Sequence, residues 1–552
     1  MTNRVLTLLR VQFRLIWRGY MAKTTARSKW GFLLLPLMLL AFAPMVALFG
    51  AMYVALYAGG SALGQAHVVI TFGVVAGQLM CLMFGVFYVI SAFYFAKDLR
   101  LLVPLPIRPG EIVLSKFISV LAGEYLSMAP VVAPALVVYG LLADVSWTYI
   151  PFALVIYVLL PVLPLVIASL FSLVLMRVTN LRRNRDLWRV VGALFGVGLA
   201  VGFNVISRFS ARGAASPDQM RQFLESRQAL VDAVSRYFPP SVWATDALRA
   251  GSPAYGALSF LLFVAVGAVA LYVMAWAAEK MFFGGLVGGE ERKRSSKVLS
   301  QADLVRETGR TRSPLWALLQ REVKMLNRTP SFLMNALMPF LAAPFFIVLP
   351  MLQGGATSGL PQFSGFAGHP LIPVIAVGVV MFMNSMSALA PTAISREGKY
   401  FWISRSIPVA PHVQIHAKVM HTLIFSSVNL LLALGAMIYF KLFTPLNGLY
   451  VVVIGMAVNI AAGYAGLLID ILHPSLKWTD PQQAMKGNMN GLFSMLAMLV
   501  IGAVAALVTV LLYNFLPMLM MPGLFAVFAG AAFGLSKLAG KAADLRFAEI
   551  ED

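Results

Sequence analysis

The sequence predicts an all-α polytopic membrane protein of about twelve transmembrane helices, built as two six-helix repeats. Of its 552 residues, 60% are hydrophobic and 12% are charged, which is too little polar material to cover a soluble globule of that size. Twelve segments are apolar over the roughly 17 to 25 residues that a span needs. A short segment also recurs in both halves, as PIRPGEIVLSK at 106–116 and PVAPHVQIHAK at 408–418.

The predicted spans are separated by loops of contrasting charge. They lie near 31–57, 68–95, 117–142, 149–175, 188–206 and 257–282 in the first half, and near 331–352, 370–394, 419–440, 447–471, 490–513 and 517–537 in the second. Loops 58–67, 143–148 and 353–369 contain no Lys or Arg, although the chain has a net charge of +21. Because basic residues resist translocation, we expect a multi-pass protein of the bacterial cell (inner) membrane with both termini cytoplasmic. The same charge pattern argues against binding to nucleic acid.

Composition divides the chain into three parts. We predict a first six-helix transmembrane half at 1–283, a cytoplasmic linker at 284–313 and a second six-helix half at 314–552. The linker is rich in glycine and then in charge, and it has no apolar run long enough to span. Because no cleavage site follows a short apolar core near the N-terminus, we expect no cleaved signal peptide.

Each half opens with a predicted amphipathic helix in the plane of the interface. The first, Val5 to Tyr20, sets three arginines four residues apart along one side. The second, Pro314 to Arg328, has basic residues on one side, leucines on the other, and Ser313 as a predicted N-cap. Each helix is either a passive membrane anchor or an anchor that also contacts a cytoplasmic partner. A further small helix, of open role, is predicted near 218–236 in the external loop 207–253.

The residues that usually carry catalysis or bind metals are sparse. Cys81 is the only cysteine, and among six histidines only His412 and His416 are close in sequence. The chain contains no phosphate-binding loop of the form GxxxxGK[ST]. We therefore expect no enzyme activity, no metal site and no cofactor in this chain.

Few ionisable residues fall inside the predicted spans, although transporters driven by ion gradients usually need them. The clearest is Glu124, which either lines a translocation path or accepts a structural hydrogen bond. The alternative to an externally powered transporter is an ion- or proton-coupled secondary transporter with six plus six helices. A membrane enzyme would need catalytic polar residues at one depth, and the sequence offers none; a scaffold without transport stays open.

A charged stretch precedes each copy of the repeated segment, AKDLRLLVPL at 96–105 and SREGKYFWISRSI at 395–407. Two prolines three residues apart interrupt a helix, so we expect a short exposed element that ends where the next span begins, at Lys116 or Lys418. Together with DILHPSLKWTDPQQAMKGNMN at 470–490, these segments resemble the permease subunits of type 2 ATP-binding-cassette (ABC) exporters. The similarity is to the fused, twelve-helix bacterial form that includes the sporulation killing factor exporter permease.

This resemblance implies a separate cytoplasmic ABC ATPase, in two copies, which would hold ATP and Mg²⁺ and drive export of an amphipathic peptide, drug or lipid. It implies that the ATPase contacts the interfacial helices and the two charged loops. The contact candidates are Lys97, Asp98, Arg100, Pro106, Pro109, Glu111, Lys116, Arg396, Glu397, Lys399, Pro408, Pro411 and Lys418. Asp98 lies eight residues before its proline and Glu397 eleven before, which leaves open whether the two halves engage the ATPase equally.

Overall fold

The structure is a computed structural model. It describes residues 7–8, 10–11, 34–62, 65–96, 98–178, 239–249, 253–287, 313–329, 331–333, 335–337, 368–439, 441–478, 481–485 and 488–550. Within these ranges the regular structure is entirely helical, and no residue lies in a β-strand. The all-α fold class is confirmed. The predicted external helix near 218–236 and most of the first interfacial helix, Val5 to Tyr20, lie outside the described residues.

The chain folds as two compact units. One consists of Met1–Gly288 with Val348–Ser358, and the other of Gly289–Ile347 with Gly359–Asp552. Each unit has its own apolar core. In the first unit Phe93, Phe117 and Phe282 are almost completely buried in one hydrophobic cluster.

The helices of the first unit are mostly long and apolar. They are α1 (Leu34–Ala62), α2 (Val68–Ile90), α3 (Leu99–Leu102), α4 (Pro109–Leu142), α5 (Tyr149–Leu159), α6 (Val162–Val178), α7 (Pro239–Leu248) and α8 (Pro253–Val287). A π-helical turn, Ser91–Phe95, extends α2. Helix α4 packs against α2, and α6 packs against both α2 and α8.

The first described helix of the second unit is the predicted interfacial helix. Its helices are α9 (Pro314–Arg328), α10 (Leu371–Ser385), α11 (Phe401–Ser406), α12 (Pro411–Tyr439), α13 (Pro445–Leu472), α14 (Pro481–Met485), α15 (Asn490–Phe515) and α16 (Met520–Arg546). The predicted N-cap of α9 is present, since the Ser313 hydroxyl accepts a hydrogen bond from Trp316 N at 3.3 Å. The apolar side of α9 packs against α12 and buries Leu318, Leu319 and Leu326.

Nine helical stretches within the described ranges are long and apolar enough to cross a membrane. They are Val68–Tyr94, Pro109–Leu142, Tyr149–Leu175, Tyr255–Phe283, Leu371–Ser406, Pro411–Ile438, Pro445–Leu472, Asn490–Phe515 and Pro517–Arg546. They coincide with nine of the twelve predicted spans. Of the others, 31–57 corresponds to α1, whose apolar part Phe42–Ala58 is shorter. The span at 188–206 lies outside the described residues, and so does most of 331–352.

Two of the predicted spans are not single helices. The span at 149–175 is interrupted between α5 and α6 at Pro161, which has no N–H to donate and whose ring clashes with the preceding turn. The span at 370–394 is interrupted as well, because α10 stops at Ser385, although the membrane-length stretch Leu371–Ser406 continues past it. Residues 386–400 then form an irregular segment with two short 3₁₀ turns. We call this segment the helix break.

The prediction that an exposed element runs to Lys116 and Lys418 was also wrong. In both copies the second proline is the first residue of the long helix, Pro109 in α4 and Pro411 in α12. Proline is tolerated there because the first N–H groups of a helix lack intrahelical partners in any case. Both lysines therefore lie about two turns inside their helices, and both are buried.

Candidate functional site: a buried charge cluster

The repeated lysine of the first unit ties a short helix to a long one. Lys116 Nζ on α4 lies 2.5 Å from Asp98 Oδ2, at the start of α3. The side chain of Lys116 is 9% exposed and that of Asp98 is 31% exposed. The short helix α3 is thus fixed to α4 by an ion pair that is half shielded from solvent.

The repeated lysine of the second unit makes two such pairs. Lys418 Nζ on α12 lies 2.5 Å from Glu397 Oε1 and 2.6 Å from Glu322 Oε1. All three side chains are almost fully buried. The acids Asp98 and Glu397 therefore have the same partner in the two halves, although they stand at different distances from the prolines. The longer second stretch forms a six-residue helix, α11, where the first forms the four-residue α3.

Two arginines complete what we call the charge cluster: Arg321, Glu322, Arg396, Glu397 and Lys418. Arg321 donates from Nη2 to Glu397 Oε2 at 2.9 Å and from Nη1 to the Ser404 hydroxyl at 2.8 Å. Arg396 Nη2 lies 4.0 Å from Glu322 Oε2. Burial alone would raise the pKa of Glu322, but Lys418 and Arg396 outweigh burial and lower this pKa below its ordinary value. Glu322 therefore stays ionised inside the protein.

The charge cluster also supports the backbone of the helix break. Arg396 donates to the carbonyl oxygens of Leu389 at 3.1 Å and Thr392 at 3.3 Å, and Lys418 donates to that of Ala393 at 3.1 Å. Irregular backbone at membrane depth is stable only where its polar groups find partners within the protein. Arg396 and Lys418 therefore pair with the buried acids and also donate hydrogen bonds to the backbone of the helix break.

A buried carboxylate, Asp470 on α13, binds the other side of the break. Its Oδ2 accepts from Ile394 N at 2.6 Å and Ser395 N at 3.0 Å. Its Oδ1 accepts from the Ser395 hydroxyl, and from Asn490 Nδ2 at 2.9 Å. Trp478 Nε1 donates to Ser395 O at 2.9 Å. The sequence segments 470–490 and 395–407 therefore meet at one site.

Gly398 in the helix break has a backbone that other residues rarely adopt. Its φ is +55°, and an added Cβ would lie 2.8 Å from the Trp478 indole. We expect Gly398→Ala to lower the free energy of unfolding by about 1–3 kcal/mol, because it strains the backbone and displaces Trp478. Thermal unfolding of the purified protein measures this. The control is Gly435→Ala in α12, where a Cβ meets no atom within 4 Å and helix propensity favours alanine. Equal effects of the two substitutions would contradict the prediction.

Comparison with known families adds to this geometry. Residues 23–525 of the chain match the model of the family ABC_tran_2, whose description reads "Putative ATP-binding cassette". The chain belongs to this ABC transporter family. No curated protein matches it, and no solved structure does either. The matched region of this ABC-family chain includes both repeated lysines and every residue of the charge cluster.

The predicted ATPase contacts of this ABC-family chain fall into two groups. Five are buried, in caps or in the ion pairs described above: Glu111, Lys116, Arg396, Glu397 and Lys418. Glu111 accepts from Arg108 N at 3.1 Å and so caps α4. Pro106, Lys399 and Pro408 are exposed, whereas Asp98, Pro109 and Pro411 are partly exposed. Lys97 and the side chain of Arg100 lie outside what the structure describes.

Exposed apolar side chains flank both short helices, and sequence reasoning missed them. Leu101 and Leu105 are exposed at α3, and Tyr400 and Trp402 are exposed at α11. The sequence contains a signal for these side chains, because large apolar residues stand among the charged ones in both stretches, 96–105 and 395–407.

Two further residues singled out from sequence lie away from this surface. Glu124 is buried on α4, about two turns beyond Lys116, and its role on a translocation path stays a prediction. His416 is exposed and its Nδ1 lies 3.3 Å from the Tyr464 hydroxyl. Among the described residues no group of His, Cys, Asp and Glu is arranged to hold a metal ion.

Proposed function

We propose that this chain is the membrane-embedded permease subunit of an ATP-driven ABC exporter. Membership of the ABC transporter family and nine membrane-length helices in the described ranges support this role. Although the family description names the cassette, the sequence lacks a GxxxxGK[ST] loop. ATP and Mg²⁺ are therefore assigned to a separate cytoplasmic subunit, bound in two copies. The substrate class is amphipathic, and the location is the bacterial cell membrane with both termini in the cytoplasm.

One observation carries this proposal. In the first unit the repeated lysine pairs with Asp98 at the start of the short helix α3. In the second unit it pairs with Glu397 in the helix break, and Glu397 also accepts a hydrogen bond from Ser404 on the short helix α11. A partner that moves the short helix would move the long helix with it, since packed elements shift as rigid bodies. Such a pair of attached elements is what an external ATPase dimer needs to transmit work into the membrane.

The exposed apolar residues supply the contact itself. Large apolar and aromatic side chains that fill a partner's pocket contribute most of the binding energy at protein interfaces. Leu101 and Trp402 lie one on each short helix, and both are more than half exposed. The two units would therefore each bind one ATPase subunit.

We expect Leu101→Glu and Trp402→Glu each to weaken association with the ATPase by about tenfold or more, since loss of a central contact costs about 2 kcal/mol. The measurement is co-purification of the detergent-solubilised chain with the soluble protein from a neighbouring reading frame that bears GxxxxGK[ST]. Trp147→Glu is the matched control, because Trp147 is 83% exposed but lies in the predicted external loop 143–148.

Three outcomes would contradict the proposal. Both variants could bind the ATPase as well as wild type, or Trp147→Glu could weaken binding equally. Transport by vesicles that contain the chain alone, driven by a proton or sodium gradient and unaffected by ATP depletion, would instead support the secondary transporter. The buried Glu124 is the residue that favours that alternative.

A further inference from the structure

Three asparagines from three membrane helices form a hydrogen-bonded chain inside the second unit. Asn429 on α12 donates from Nδ2 to Asn384 Oδ1 at 2.8 Å, and Asn384 on α10 donates from Nδ2 to Asn459 Oδ1 on α13. They are 2%, 7% and 0% exposed respectively. We call these residues the asparagine chain. None of them belongs to the charge cluster or to the exposed apolar side chains beside α3 and α11.

The two ends of the asparagine chain are unpaired. Within the described part of the protein, Asn429 Oδ1 and Asn459 Nδ2 are buried and have no hydrogen-bond partner. Asn459 is near the middle of α13, about 21 Å along the helix from Pro445. Unpaired polar groups are costly in hydrocarbon, and nearly all buried ones have partners. A free acceptor and a free donor at the ends of one hydrogen-bonded chain therefore indicate a place for another polar group.

We propose that the asparagine chain is a binding site for the amide group of the transported molecule. An amide carbonyl accepts from a donor such as Asn459 Nδ2, and an amide N–H donates to an acceptor such as Asn429 Oδ1, so an amide has the chemistry that both free ends require. An ester has the carbonyl but lacks the N–H, and it leaves Asn429 Oδ1 unpaired. The site thus selects amide-bearing amphiphiles over ester lipids. This inference rests on the proposed function and narrows its substrate class.

Asn384 lies where α10 meets the helix break. It is one residue before the end of α10, and the helix break that follows is held by Arg396, Lys418 and Asp470 rather than by α10 itself. The middle residue of the asparagine chain therefore lies where the regular hydrogen bonding of this helix ends.

Binding to the full chain in lipid nanodiscs, without ATPase, tests the proposal. The probes are N-dodecylacetamide and dodecyl acetate, which differ in the N–H. We expect wild type to bind the amide about tenfold more tightly than the ester, since one unpaired buried group costs about 1–3 kcal/mol. Asn429→Ala should abolish this preference, whereas Asn459→Ala should weaken the binding of both probes, because both carry the carbonyl. Asn514→Ala should keep it, because Asn514 is exposed and bonds only within its own helix, to Val510 O.

The outcomes separate this proposal from the proposed function. Equal binding of both probes to wild type, or a preference that survives in Asn429→Ala, would overturn the site and leave a contact between helices or a bound water. Should the alanine variants fail to fold, Asn429→Gln keeps the acceptor but shifts it by one methylene, and the amide preference should shrink. Failure of any ATPase to associate would refute the permease role while leaving this binding result intact.

Discussion

Replacing Lys418 with methionine is expected to destabilise the protein by about 3–5 kcal/mol, the usual result of removing one partner from a buried ion pair. Lys418→Met removes the cation that Glu322 and Glu397 share, and their side chains are 4% and 0% exposed. Within the described residues, only Arg321 and Arg396 then remain as their charged partners. It also removes a donor from the carbonyl of Ala393 in the helix break. Thermal unfolding of the purified protein, together with its yield in the membrane, measures the effect.

The repeat supplies a matched control for this substitution. Lys116→Met removes the corresponding lysine, but its partner Asp98 is 31% exposed and can be solvated once the lysine is gone. An ion pair of this partly exposed kind is worth about 1 kcal/mol or less. Equal destabilisation by the two substitutions would show that burial does not decide the strength of these pairs.

Replacing Asp470 with asparagine should loosen the helix break, at a cost of about 2–4 kcal/mol. The carboxylate accepts from four donors, two of them the backbone N–H groups of Ile394 and Ser395. In asparagine an NH₂ group, which donates, replaces one of the two carboxylate oxygens, which accept. At least one of the four donors therefore loses its acceptor and faces another N–H. Each buried group left unpaired costs about 1–3 kcal/mol.

Hydrogen exchange gives the local measurement for Asp470→Asn. The amides of Ile394 and Ser395 should exchange faster than in wild type, while those in the middle of α16 should not change. Asp544→Asn is the control, because Asp544 is 54% exposed and lies 4.0 Å from an equally exposed His412. Unchanged exchange in the Asp470 variant would mean that the break is held by other contacts.

The sequence was sufficient for features that depend on local composition. Runs of apolar residues fixed the all-helical membrane class and the approximate positions of nine described spans, since a bilayer demands both length and hydrophobicity. Ser313 and Pro314 also correctly predicted the start of α9, because capping depends on neighbouring residues. The repeat of Pro, Pro and Lys singled out Lys116 and Lys418, and both lysines form ion pairs in the structure.

Only the tertiary structure decided what those residues contact. Lys418 and Glu322 are 96 residues apart in sequence, and Asp470 and Ile394 are 76 apart. No periodicity or spacing specifies such pairs, because they form when separate helices pack and exclude solvent. The end of α10 at Ser385 was equally hidden, since an apolar run continues past it and the break is stable only with its distant side-chain partners in place. Sequence alone therefore determined which segments enter the membrane, whereas packing determined which of their polar residues became buried pairs.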